Sequence, residues 1–110
     1  MKPRKLNIKT IPATDINRAY RFWRDVFDLP QSGHESGRHL MLDGDDITFV
    51  NGKATDTLEI LVRDHQEDLL KHLRNNFITI IGDPEERFGN KIAFKIKDSE
   101  DNVITLEANR

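Results

Sequence analysis

Four histidines invite a metal reading, because imidazole is the commonest protein ligand for transition metals. His34 and His39 would meet across a turn, and His65 and His72 stand at helical i,i+7. No carboxylate has a spacing that completes a tight site with either pair, so they read as a loop histidine, a strand histidine and two solvated helix histidines. The acidic clusters Asp98–Asn102 and Asp43–Asp46 suggest calcium. Both lack the glycine and the late bidentate glutamate of an EF-hand loop, and they read as turns with charged tips. Arg18, Arg21 and Arg24 read as a solvated helix exterior rather than an anion site, and Tyr20 and Trp23 as core residues before they read as a stacking platform. That leaves Glu59, Lys95 and Glu107. Gathered in one concavity, such charges have perturbed pKa values, and a carboxylate among them serves as a general base or holds a ligand amine. The bland alternative is a mutual ion pair on a wet sheet, which contributes little.

The elements that would position these charges follow from periodicity. Leu6–Ile11 reads as a strand closed by Pro12, and Thr14 or Asp15 as a helix cap. Ile16, Ala19, Tyr20, Trp23, Val26 and Phe27 then repeat as one helical face until Leu29-Pro30. Short strands follow at Arg38–Leu42 and Asp46–Val50 around Asp43-Gly44-Asp45. A second cycle runs from Thr57–Val62 through a helix opened by Asp64 and Glu67, spaced as a capping box, with the stripe Leu69, Leu70 and Leu73. Phe77–Ile81 is a strand, Gly82–Asn90 a charged loop, and Lys91–Ile96 with Val103–Glu107 a closing hairpin. The chain therefore reads as a duplication, module one over about 5–50 and module two over about 56–108, each built as βαβββ within one domain.

Two such units lay their helices on the convex face of a curved mixed sheet, an α+β fold. The sets Leu58/Ile60/Val62, Ile92/Phe94/Ile96, Ile104/Leu106 and Ile47/Phe49 must face those helices. By period two, Thr48, Thr57, Glu59, Leu61, Lys91, Ala93, Lys95, Val103, Thr105 and Glu107 point into the concavity, with Ile8 and Thr10 on the first strand.

Composition excludes several function classes. Seventeen Lys and Arg against 19 Asp and Glu give a formal charge of −2, without the basic footprint of a nucleic-acid binder or a polybasic membrane stripe. The absence of cysteine removes disulfides, thiolate metal sites and a cysteine nucleophile. Charged residues make up 33% of the chain, against about 25% in an average domain. No apolar run approaches the roughly 20 residues of a membrane span, and Met1-Lys2-Pro3-Arg4-Lys5 is not followed by a signal-peptide core. A soluble, cytoplasmic protein is expected. A chain of this size has a small core, which self-association would support.

Two motifs carry a resemblance. Ile11-Pro12-Ala13-Thr14-Asp15-Ile16-Asn17-Arg18-Ala19-Tyr20-Arg21-Phe22-Trp23-Arg24-Asp25-Val26-Phe27-Asp28-Leu29 resembles the opening of the vicinal oxygen chelate superfamily, with Phe22-Trp23 as its aromatic pair and Val26–Leu29 as its helix exit. Asp98-Ser99-Glu100-Asp101-Asn102-Val103-Ile104-Thr105-Leu106-Glu107 is similar to its "Asp-Pro-Asp-Gly-Asn-x-Ile-Glu-Leu" hairpin. The superfamily includes glyoxalase I, fosfomycin and bleomycin resistance proteins and extradiol dioxygenases. The resemblance implies paired modules across the chain and metal ligands near Ile8, Thr48, Thr57 and Thr105, positions where the family has His, Gln or Glu. None of these four is a usual donor to a divalent ion, and a slip by two at Ile8 offers only Thr10. The expectation is a metal-free protein without a cofactor that sequesters a polar or zwitterionic small molecule, as bleomycin resistance proteins do, in clefts of a homodimer. Its ligand would touch Thr10, Thr48, Thr57, Glu59, Lys95, Thr105 and Glu107. A metal-dependent lyase, transferase or dioxygenase, and a ligand-free scaffold, remain open, and no residue is assigned to catalysis.

Overall fold

The computed structural model describes residues 1–33 and 37–110. His34, and with it the His34–His39 pairing, lies outside the described residues. The chain opens with β1 (Pro3–Leu6) and β2 (Thr10–Ala13), followed by α1 (Ile16–Val26), β3 (Leu40–Leu42) and β4 (Asp45–Asn51). The second half runs through β5 (Leu58–His65), α2 (Gln66–Asn75), β6 (Ile80–Arg87), β7 (Lys91–Lys97) and β8 (Val103–Asn109). Within module two the strand order is β5-β8-β7-β6, with β5 and β8 parallel. Module one repeats the scheme as β2-β4-β3, with β2 and β4 parallel, and Gln31 adds a single antiparallel bridge to Leu40. The paired-module α+β fold expected from the sequence is thus present.

The first strand departs from expectation. It splits, β1 pairing antiparallel with β5 while β2 pairs with β4. Asn7 is the physical cause. Its amide Nδ2 donates to Thr57 O at 2.7 Å and its Oδ1 accepts from Glu59 N at 2.8 Å, satisfying the β5 backbone as the chain leaves it. Two residues later, Lys9 O accepts from Thr48 N at 3.0 Å and the chain has changed partners. The stretch expected as a charged loop, Gly82–Asn90, is mostly strand β6. This edge strand carries a bulge between Ile81 and Glu85 containing Gly82 (φ 68°) and Pro84. Nearly every residue of β6 is exposed, so no apolar alternation marks it, and an edge tolerates the proline.

The strands form two sheets, five-stranded β1-β5-β8-β7-β6 and three-stranded β2-β4-β3, with α1 packed against β4 of the smaller and α2 against β5 and β8 of the larger. Ala19, Tyr20, Trp23 and Val26 of α1 and Leu69 and Leu73 of α2 share one core with the four apolar strand sets named above. Tyr20 and Trp23 are therefore core residues. Asp15 caps α1, its Oδ1 accepting from Arg18 N at 3.1 Å. The expected capping box of α2 does not form. Asp64 Oδ1 accepts instead from Lys2 N at 2.6 Å, and His65 is the cap, its Nδ1 accepting from Glu67 N at 3.3 Å. His72 is not solvated either: its Nε2 donates to Val26 O at 2.5 Å, tying α2 to the end of α1.

In the Asp98–Asn102 turn the charges of Asp98 and Glu100 face inward, and only Asp101 forms the expected solvated tip. Asp98 accepts from Trp23 Nε1 at 3.0 Å, from Glu100 N and Asn102 N at 2.9 Å each, and from Asn102 Nδ2 at 2.9 Å. Glu100 accepts from Thr14 N at 3.0 Å, Thr14 Oγ1 at 2.9 Å, Asp15 N at 2.8 Å and Ser99 Oγ at 2.8 Å, and from Arg18 Nε at 2.7 Å. Arg18 is thus not simply solvated; half exposed, it is the counter-ion of a buried carboxylate. Arg24 likewise pairs with Asp25 at 2.8 Å, so the cationic stripe is largely neutralised. Protein donors already fill the Asp98 and Glu100 carboxylates, which leaves Asp101 as the one acidic side chain of this turn facing outward and no cluster for calcium among the described residues.

Candidate functional site

The sheet face opposite the helices is concave. Strand alternation delivers Glu59 and Leu61 of β5, Thr105 and Glu107 of β8, and Lys91, Ala93 and Lys95 of β7 to it. Register arranges them in rows. Lys95 pairs with Thr105, which pairs with Glu59; Ala93 pairs with Glu107, which pairs with Leu61. Ala93 is the smallest side chain of this set, and the larger neighbours rise around it. Ala93 and Thr105 are only 3% and 8% exposed although they point away from the main core. They form the floor of a hollow of about 220 Å³ walled by Ile81, Gly82, Asp83, Glu85 and Lys95.

Arg87 organises the electrostatics of this face. From the β6 edge its guanidinium crosses β7 and β8, placing Nη1 3.1 Å from Glu59 Oε1 on β5, with Nε 3.0 Å from Glu85 Oε1. This bar of charge separates the Ala93 hollow from a second one of about 180 Å³ bounded by Lys5, Asn7, Glu59 and Leu61. Both partners are partly exposed, so the pair organises the face more than it stabilises the fold.

The expected ligand residues divide into groups. Lys95 and Thr105 line one hollow together. Glu59 lines the second, and Glu107 a smaller depression with Arg4, Leu61, Val62 and Lys91. Glu59, Lys95 and Glu107 form no mutual ion pair among the described residues; Glu59 is bound to Arg87. Thr10 and Thr48 are cross-strand partners on the three-stranded sheet, outside these hollows. Thr57 precedes β5, and its hydroxyl lies 2.9 Å from that of Thr55.

Asp83, Glu85 and Arg87 escape the sequence reading as site residues because their segment has no strand periodicity. One signal was available: Gly-Asn at 89–90 is a hairpin turn pair, and Gly89 (φ 76°) and Asn90 (φ 64°) take left-handed conformations. A hairpin there extends a strand backwards from the turn; the observed loop takes in Phe88 as a third residue and so puts Arg87 opposite Lys91.

The metal that the resemblance implies would require carboxylate or imidazole donors at its corner positions. Ile8, Thr48, Thr57 and Thr105 supply none. Glu59, the carboxylate nearest in register to Thr105, is held by Arg87. The described residues include no group of three His, Cys, Asp or Glu able to hold an ion. The donor set does not fit the group.

No protein-family model and no curated protein sequence matches the chain. Solved structures do. An integron cassette protein from the mobile metagenome of Vibrio cholerae superposes with a TM-score of 0.75 at 20% identity, covering 100% of this chain and 98% of that one. Lactoylglutathione lyase from Agrobacterium tumefaciens gives 0.71 at 13% identity, over 90% and 89% of the two chains. The fosfomycin resistance protein FosX from Listeria monocytogenes, in complex with Mn(II) and sulfate, gives 0.66 at 14% identity, over 92% and 86%. These neighbours belong to the vicinal oxygen chelate superfamily, and the fold described above is theirs.

Proposed function

We propose that this protein binds a polar small molecule on its concave face without a metal ion, sequestering the molecule rather than turning it over. The donor chemistry at the inherited corners supports this reading. The resemblance assigns those corners to an isoleucine and three threonines, none a usual donor to a divalent ion, while the concave face keeps a walled hollow with charge of both signs. The neighbours' identities favour a second reading, a metal-dependent enzyme, since lactoylglutathione lyase and the Mn(II)-bound fosfomycin resistance protein share the fold.

Elemental analysis of dialysed protein separates the two. The binder reading expects Mn, Fe, Ni and Zn well below one equivalent per chain, and one retained equivalent overturns it. In a thermal-shift screen of polar metabolites and antibiotics, a ligand at one hundred times its dissociation constant adds about 2.7 kcal/mol of stability. No response from any compound counts against binding.

We also propose that the protein is a homodimer. Phe77 and Phe88 are 94% and 100% exposed at the two ends of the β6 edge strand, and a second copy would remove them from water. Sedimentation is expected to give twice the 12.8 kDa chain mass, and a monomer at high micromolar concentration rejects this.

A further inference from the structure

We infer that the Ala93 hollow recognises the two charged ends of a free α-amino acid, carboxylate on the Lys95–Thr105 side and ammonium on Asp83. This rests on the small-molecule reading above and narrows it to one ligand class.

Thr105 carries the argument. It is 8% exposed, its side chain makes no hydrogen bond among the described residues, and it lines the hollow. Its hydroxyl opens into the hollow with no protein partner among those residues to displace, so a ligand oxygen can bond it directly. Lys95 is its cross-strand partner on the same face, close enough for ammonium and hydroxyl to meet a single carboxylate. Around this hollow the carboxylates of Glu59 and Glu85 share the single guanidinium of Arg87. Lys95 and Asp83 form no ion pair among the described residues, and they wall the same hollow. One unspent cation and one unspent anion around the apolar surface of Ala93 on the floor and Ile81 on the wall complement a zwitterion with a short aliphatic body. The 180 Å³ hollow beyond the Arg87 bar is not floored by an unpartnered, nine-tenths-buried polar group. Size points the same way: 220 Å³ lies below the roughly 300–1,000 Å³ of pockets that enclose drug-sized ligands.

The test is a titration of ¹⁵N-labelled protein with the common free α-amino acids, one at a time. For the strongest binder, the same acid without its amino group and the same amine without its carboxylate are then titrated. The amino acid is expected to shift the amides of Ala93, Lys95 and Thr105, and loss of either charge to weaken binding about tenfold or more. Lys95→Met and Asp83→Asn, both at exposed positions, should each reproduce that loss, and Thr105→Val should weaken binding without unfolding the protein. If the deaminated acid binds the same hollow as tightly as its parent, the zwitterion inference is wrong and the small-molecule reading stands. A thermal-shift ligand that seats elsewhere on the face likewise overturns the zwitterion inference alone. If no amino acid and no screened metabolite binds anywhere, both fall together.

Discussion

Glu100→Gln should destabilise the fold by about 2–4 kcal/mol in denaturant titrations at neutral pH, because it breaks a buried charge pair while leaving one partner half exposed. Glutamine matches the shape of glutamate but presents an NH₂ where two main-chain N–H donors, of Thr14 and Asp15, now point at a carboxylate oxygen. The effect carries a pH signature. The Arg18 guanidinium, aided by the N–H of Asp15 and the hydroxyls of Ser99 and Thr14, holds the Glu100 carboxyl well below the ordinary carboxylate range, against the opposing effect of burial. A carboxylate depressed on folding stabilises above its unfolded pKa of about 4.3 and loses that contribution as pH falls through its folded value. The stability gap between wild type and Glu100→Gln is therefore flat above about pH 5 and narrows as the solution is acidified below about pH 4. A gap that widens on acidification would contradict the assigned latch.

Trp23→Ala should be more costly still, about 3–5 kcal/mol from lost volume, with about 1–3 kcal/mol added because Asp98 stays buried without one of its donors. A domain stable by about 5–15 kcal/mol is brought close to unfolding by such a loss. Trp23 is fully buried, packs edge-on against Phe27 at 4.8 Å between ring centroids, and spends its one polar atom on Asp98. Trp23→Phe retains most of the packing and isolates the hydrogen bond, for which about 1.5–3 kcal/mol is expected because the acceptor is charged. Circular dichroism is the suitable probe, since the chain has no other tryptophan. A Trp23→Ala protein that folds normally but loses ligand affinity would make this side chain part of a binding site.

These two residues show what is legible in the sequence. The helical stripe through Trp23 and the alternating strands of module two are readable, because half-buried elements carry a strong apolar period. The concave partners of those strands follow by parity, which puts Lys95 and Thr105 on the same face; that they line one hollow is read from the structure. Asp98 and Glu100 read as solvated turn residues: nothing local in an acidic turn tells whether its donors come from water or from Thr14, more than 80 positions away. Arg87 is hidden for a different reason. An edge strand exposed on both faces has no buried side to impose a pattern, and a bulge with Gly82 and Pro84 mimics a loop. The Asn7 crossover is equally silent, since Leu6, Ile8 and Ile11 read together as one apolar run although Ile8 is exposed and the buried parity changes between Leu6 and Ile11.

The Glu100 contacts have a kinetic meaning as well. They join positions 86 apart, and the Asn7–Glu59 contact joins positions 52 apart, whereas the β7–β8 hairpin is local. Closing a loop costs entropy that rises by about 0.6 kcal/mol with each doubling of its length. Contacts of low sequence separation are therefore expected to form early, and the docking of the acidic turn onto α1 late, so that Glu100→Gln should speed unfolding more than it slows folding. Folding of this small protein is in that sense an assembly of two halves, with one carboxylate as the clasp.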